Sequence, residues 1–161
     1  MTVSEYNTCV DNYADSLFRF VAKNCRDQEL ARDVVQDTFE KLWIKVESIE
    51  VATAKSYLFT AAYHTMIDAI RKQKNHAQVE EDGLDHYHTH NQYSDVKAVL
   101  NDALNKLPEI QRAVITLRDY EGYSYEEIGK ITGLGESQVK VYIYRARVFL
   151  KSYLVRMDSV I

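Results

Sequence analysis

Proline and glycine are nearly missing from this chain: one proline, Pro108, and five glycines in 161 residues. Together with long periodic apolar segments, that scarcity excludes a turn-rich β architecture and points to helices throughout. No apolar run approaches the roughly 18 residues of a membrane-spanning helix, so no membrane insertion is expected. The first residues, MTVSEYNTCVDNYAD, are polar and acidic, the reverse of a secretory signal, which places the protein in the cytoplasm. Cys9 and Cys25 stand alone, with no C-x-x-C pair and no metal-ligand spacing, and read as reduced thiols. Nucleophile–base pairings and phosphate-binding glycine loops are absent as well. The expectation is a protein that is not an enzyme and carries no cofactor or metal.

Excess positive charge is also missing: the net charge is −4. Divided along the chain, that figure changes meaning. Residues 1–75 carry 10 cations and 11 acids, −1. Residues 76–95 carry five acids and neither Lys nor Arg, −5, and residues 96–161 carry 10 cations and eight acids, +2. The acidity sits in a short middle stretch, so the sum says little about partners. That stretch, HAQVEEDGLDHYHTHNQYS, lacks an apolar period and reads as a mobile linker over 76–94. Its alternating His86, His88 and His90 have no scaffold to hold a metal, and the bland reading wins.

What the chain does have is clearest in GYSYEEIGKITGLGESQVKVYIYRARVFLKSY. Ser124 and Glu127 form a capping box, so a short helix starts at Tyr125 and runs to 131. Gly133 supplies the left-handed stop. A longer helix follows from Glu136, with Val139, Ile143, Ala146 and Leu150 facing inward. Two helices joined by a glycine turn read as a helix-turn-helix. Between Ser137 and Met157 the second helix has five cations (Lys140, Arg145, Arg147, Lys151, Arg156) and no acid. A purely basic face can be a solvated surface; joined to this turn, it suits the phosphate-lined groove of a duplex.

Five other helices are expected. The first spans 5–24, with Val10, Tyr13, Ala14, Leu17, Phe18 and Val21 inward. The second spans 28–46 behind an Asp27 N-cap, its core face Ala31, Val34, Val35, Thr38, Leu42 and Val46. The opposite face carries Asp33, Gln36, Asp37, Glu40, Phe39 and Trp43. Large rings beside acids fit a docking surface or a core, and spacing alone leaves both open. A loop over 48–55 precedes a helix over 56–75 that carries Tyr57, Phe59, Tyr63 and His64 and ends in Arg71, Lys72 and Lys74. Rings among cations suit unpaired bases, and ordinary packing fits them equally well. Helices over 96–106 and from Pro108, placed at N1, to 120 complete the chain.

Three segments carry a resemblance. The run LNKLPEIQRAVITLRDYEGYSYEEIGKITGLGESQVKVYIYRARVFLK resembles region 4 of the extracytoplasmic-function (group 4) sigma factors of bacterial RNA polymerase. DQELARDVVQDTFEKLWIKV and SYLFTAAYHTMIDAIRKQK resemble their region 2. The resemblance implies an all-α chain of two small helical domains, 1–75 and 95–161, joined by the 76–94 linker. It implies a promoter-specificity subunit that reads a −35 element as duplex and a −10 element as single strand. Implied partners are the polymerase core (clamp helices of the largest subunit, and the flap of the second-largest subunit for region 4), promoter DNA and an anti-sigma factor. Asp33, Gln36, Asp37, Phe39, Glu40 and Trp43 would bind the core. Ser48, Ile49, Tyr57, Tyr63, His64, Arg71 and Lys72 would meet the −10 strand. Glu136, Ser137, Gln138, Lys140, Val141, Tyr144, Arg145 and Arg147 would meet the −35 duplex. His64 replaces the family's usual asparagine, Tyr57 its tryptophan, Gly135 its Ser or Thr cap, and Val141 a small polar residue. The competing readings are a stand-alone helix-turn-helix regulator with a sensing or dimerising first half, and a histidine-metal enzyme.

Overall fold

The structure is a computed structural model and describes residues 1–77 and 95–158; the linker histidines and most of the 76–94 segment lie outside the described residues. Among the described residues there are seven α-helices and no strand: α1 (Val3–Cys25), α2 (Gln28–Ile44), α3 (Val51–Ala77), α4 (Asp95–Lys106), α5 (Glu109–Ile115), α6 (Tyr125–Thr132) and α7 (Glu136–Asp158). A π-helical turn, Thr116–Tyr120, extends α5.

The first three helices pack on one another around Leu17, Phe20 and Val21 of α1, Val34 and Leu42 of α2, and Leu58, Ala62 and Met66 of α3. The last four surround Leu104, Val114, Leu117, Ile128, Ile131, Val139 and Ile143. Apart from Ala62, each of these buried side chains contributes about 1.5–3 kcal/mol. The exposed i,i+4 pairs Asp37–Lys41, Glu126–Lys130 and Glu136–Lys140 contribute a few tenths each, so packing holds both halves together.

Local signals account for most helix ends. Asp27 caps α2 by accepting from Leu30 N–H at 3.1 Å. Thr2 forms a capping box with Glu5, which starts α1 at Val3, two residues ahead of expectation. Three boundaries differ for tertiary reasons. The β-branched 48–55 stretch reads as a loop in the sequence, yet α3 begins at Val51, because Ala54 is fully buried and stacks one turn below Leu58. The second helix ends at Ile44 rather than 46, where Ser48 and Ile49 N–H groups turn back onto the Lys45 carbonyl. Pro108 is the cap of α5 rather than its first helical residue (φ −53°, ψ 148°).

The helix expected to run on to residue 120 instead widens at Thr116. Glu121 N–H reaches the Thr116 carbonyl five residues back at 3.1 Å. The Thr116 hydroxyl bonds back to the Arg112 and Ala113 carbonyls, which loosens the ladder at that turn. This extra residue redirects Tyr120, Glu121 and Tyr123 toward the first three helices.

The two halves touch. Asn24 Nδ2 of α1 donates to Thr116 Oγ1 at 3.0 Å in a buried position. Arg19 pairs with Glu121, and Lys74 with Glu109, each at 3.6 Å. Phe59 of α3 meets the Tyr123 ring edge-on, centroids 5.1 Å apart. The second half therefore lies across one face of α1 and α3.

Candidate nucleic-acid interface

The helix-turn-helix is built as the sequence reads. Ser124 and Glu127 exchange their capping bonds at 3.1 and 3.2 Å, and Gly133 closes α6 at φ 81°. Gly129 makes room for the turn: a Cβ there would sit 2.9 Å from the Leu134 carbonyl oxygen, so the turn packs against bare backbone. Arg118 lies over the Tyr125 ring at 4.5 Å and donates to the Tyr123 carbonyl at 2.9 Å, bracing the entry to α6. Without a Ser or Thr at position 135, α7 is capped from the other side. Gln138 Oε1 accepts from Gly135 N–H at 3.0 Å, half of a capping box.

On α7, Val139, Ile143 and Ala146 are buried, while Lys140, Val141, Tyr144 and Arg145 share the exposed side. Tyr144 is 68% exposed and Val141 44%. Lys140 lies 5.6 Å over the Tyr125 ring and Arg145 6.0 Å over the Tyr142 ring, and a helix end that presents apolar and cationic groups in this way can enter a major groove. Glu136 and Ser137 are exposed at its start, with Glu136 paired to Lys140 at 3.5 Å. Two expected contacts are engaged elsewhere. Gln138 holds the N-cap just described. Arg147 forms a two-point bond with Asp119 (2.6 and 3.3 Å) that ties α7 to the π-helical turn, and this hydrogen bonding raises the already high guanidinium pKa. Arg147 is thus tied to the scaffold while its side chain stays half exposed.

The acid–aromatic side of α2 also divides. Asp33, Gln36, Glu40 and Trp43 are exposed and Asp37 is partly so, paired with Lys41 at 3.1 Å. Phe39, expected among them, is 7% exposed. Tyr6 of α1 lies across it, ring edge to ring face at 6.5 Å, and donates its hydroxyl to the Phe39 carbonyl at 2.9 Å. The same Tyr6 ring touches Trp43 at 5.0 Å. A shallow groove of about 560 Å³ runs between α1 and α2, lined by Val3, Tyr6, Asn7, Glu40, Trp43 and Ile44. Sequence reasoning missed Tyr6, because its partner lies 33 residues away.

The aromatic helix α3 departs furthest from expectation. His64 is exposed beside the Tyr63 ring, Tyr57 is half-buried with Lys45 over its face at 5.8 Å, and Arg71 and Lys72 are exposed. Ser48 is exposed and Ile49 leans on the core. Phe59 and Tyr63, expected among the surface rings, are buried at 0% and 7% exposure. Phe59 is held between Phe20 and Tyr123. Burial raises the Tyr63 phenol pKa, helped by the negative charge of Glu109 from the second half.

Similarity to known proteins covers both halves. The family model described as Sigma-70 region 2 matches residues 9–76, and the one described as Sigma-70, region 4 matches residues 97–150. The RNA polymerase sigma factor YlaC of Bacillus subtilis is 30% identical, the alignment covering 89% of this chain and 88% of YlaC. The ECF RNA polymerase sigma factor SigM of the same organism is 28% identical over 87% of this chain and 89% of SigM. Among solved structures, the sigma factor RpoE of Bartonella quintana, in complex with the anti-sigma factor NepR, superposes with a TM-score of 0.81 at 28% identity, covering 94% of this chain and 98% of that one.

Proposed function

This chain belongs to the extracytoplasmic-function group of the sigma-70 family, the promoter-specificity subunits of RNA polymerase, and from that premise we propose how its surfaces divide the work. The exposed side of α7 (Lys140, Val141, Tyr144, Arg145) enters the major groove of the −35 duplex. Arg145 reads a base edge or a phosphate, Lys140 tracks the backbone, and Val141 lies against a thymine methyl. The exposed part of α2 (Asp33, Gln36, Asp37, Glu40 and Trp43, with Tyr6 from α1) docks on the polymerase clamp. His64, Tyr57, Arg71 and Lys72, with Ser48 and Ile49, meet the unwound −10 strand. There rings stack on base faces and cations follow the phosphates.

A single observation carries this division. The cationic side of α7 that stays clear of the core belongs to the helix-turn-helix, and the acid–aromatic side of α2 belongs to the other half. Opposite charges on the two faces suit opposite partners: a polyanion for α7, and a protein surface with basic groups for α2. The second region match supports a polymerase subunit over a stand-alone regulator, since it accounts for the first half as well. The protein performs no chemistry of its own; the polymerase supplies it, in the cytoplasm. An anti-sigma factor of the kind seated on the Bartonella protein is a further partner.

Reconstituted run-off transcription with bacterial core polymerase tests this reading. Transcripts from defined promoters should depend on adding the protein. Equal transcription without it would sink the assignment.

A further inference from the structure

Tyr6 reaches Trp43 by two routes, one through the backbone and one through the ring. Its hydroxyl donates to the Phe39 carbonyl at 2.9 Å. In an α-helix that carbonyl also accepts from the N–H four residues on, which here is the Trp43 peptide. The phenol therefore shares an acceptor with the turn from which Trp43 hangs. The Tyr6 ring meets the Trp43 ring edge-on, centroids 5.0 Å apart. Burial raises the Tyr6 phenol pKa, aided by the negative charge of Glu40, so the hydroxyl keeps its proton and remains a donor.

The groove beside this pair is apolar and open. Val3 of α1 and Trp43 and Ile44 of α2 line it, and all three stay exposed, Ile44 at 80%. Large apolar groups gathered in one concave place mark a contact site. Glu40 stands at the same groove and forms no ion pair among the described residues; Gln36 donates to it at 3.5 Å. A partner that fills the groove therefore brings an aliphatic group and a cation together. Trp43 and Glu40 belong both to this groove and to the acid–aromatic side of α2, so the groove carries that surface onto α1.

We propose that Tyr6 is a positioning residue for polymerase docking: it fixes Trp43 as one wall of the α1–α2 groove, and the groove seats an aliphatic side chain of the clamp with a Lys or Arg beside it. The inference rests on the assignment of the α2 surface to the polymerase. An exposed tryptophan left alone samples several rotamers, and a partner that needs one of them must order the ring on binding. Tyr6 removes the alternatives beforehand. It acts on affinity through Trp43, while Val3 and Ile44 supply the other apolar walls and Glu40 meets the cation.

A double-mutant cycle with full-length protein and core polymerase tests this. Tyr6→Phe keeps the ring and removes the hydroxyl bond. It should weaken core binding by about threefold to tenfold, the range of one hydrogen bond. In a Trp43→Ala background the same change should have no further effect. Equal weakening in both backgrounds would overturn positioning through Trp43. No weakening by Tyr6→Phe, with Trp43→Ala still weakening, would overturn the inference and leave α2 as the docking surface. Unchanged affinity for Trp43→Ala would remove that surface and the inference together. Trp43 is the single tryptophan, so fluorotryptophan gives one fluorine resonance that reports on it directly. In the free protein Tyr6→Phe should shift or broaden that resonance at unchanged helicity; an identical resonance would contradict the positioning. Val3→Ser tests the groove from the α1 side. It should weaken core binding by about threefold, and unchanged affinity would confine docking to α2 and remove the groove.

Discussion

The two helices assigned to DNA are presented in opposite ways. On α7 the reading residues are already in solvent, with Tyr144 at 68% exposure and Lys140 and Arg145 beside it. On α3 the rings Phe59 and Tyr63 are buried, Phe59 between Phe20 and Tyr123 of the other half, while His64 and the terminal cations are open. The physics of the two DNA forms explains the difference. A duplex offers base edges and phosphates at all times, and a rigid helix with short side chains can wait for it. Single strand exists only after melting and offers base faces, on which rings stack.

The largest expected break in this comparison comes from α2. Trp43→Ala should weaken binding to core polymerase by about 2 kcal/mol or more, as for a desolvated aromatic anchor. Duplex binding by the free protein should not change. Titration of labelled protein with core and with duplex separates the two. Next is Gly129→Ala, whose new Cβ would press on the Leu134 carbonyl. It should cost about 1–3 kcal/mol in denaturant unfolding and disturb the angle between α6 and α7, reducing −35 binding more than core binding. Ser124→Ala removes one capping bond at the same turn and should cost about 1 kcal/mol by the same measurement.

The smallest effect concerns how the contact between the two halves responds to pH. Burial raises the Glu121 carboxyl pKa, and the nearby Arg19, Lys55 and Lys23 offset this only in part. A raised pKa in the folded protein means that the folded form is favoured once the carboxyl is protonated. That contribution is complete below the ordinary carboxyl range and fades as pH rises through the raised value. Stability, followed by denaturant unfolding, should therefore gain a small contribution from this group in mild acid. Glu121→Gln should flatten that dependence; an unchanged slope would assign it to another group.

Range along the chain decided what was legible in the sequence. The capping box at Ser124, the stop at Gly133, the Asp27 cap and the inward stripe of α7 are local, decided within one or two turns, and could be read directly. The burial of Phe39 and Phe59 could not, because a helix has more than one side and their neighbours, Tyr6 for Phe39 and Phe20 with Tyr123 for Phe59, lie tens of residues away. Arg147 reads as one of five equivalent cations until Asp119, 28 residues earlier, proves to hold it. The π-helical turn leaves no periodic signature; it places Thr116 opposite Asn24, 92 residues distant. The caps and turns were readable, and the contacts of one half with the other were not.

If duplex and single strand are read by separate helices, one open and one covered, the most direct measurement crosses two variants with two probes. Arg145→Ala and His64→Ala are each tested against a −35 duplex and, with core polymerase present, a −10 single strand. Arg145→Ala should lose about 1–3 kcal/mol on the duplex if it contacts a guanine edge, and leave strand capture unchanged. His64→Ala should do the reverse. Equal losses by both variants on both probes would contradict the separation of readers.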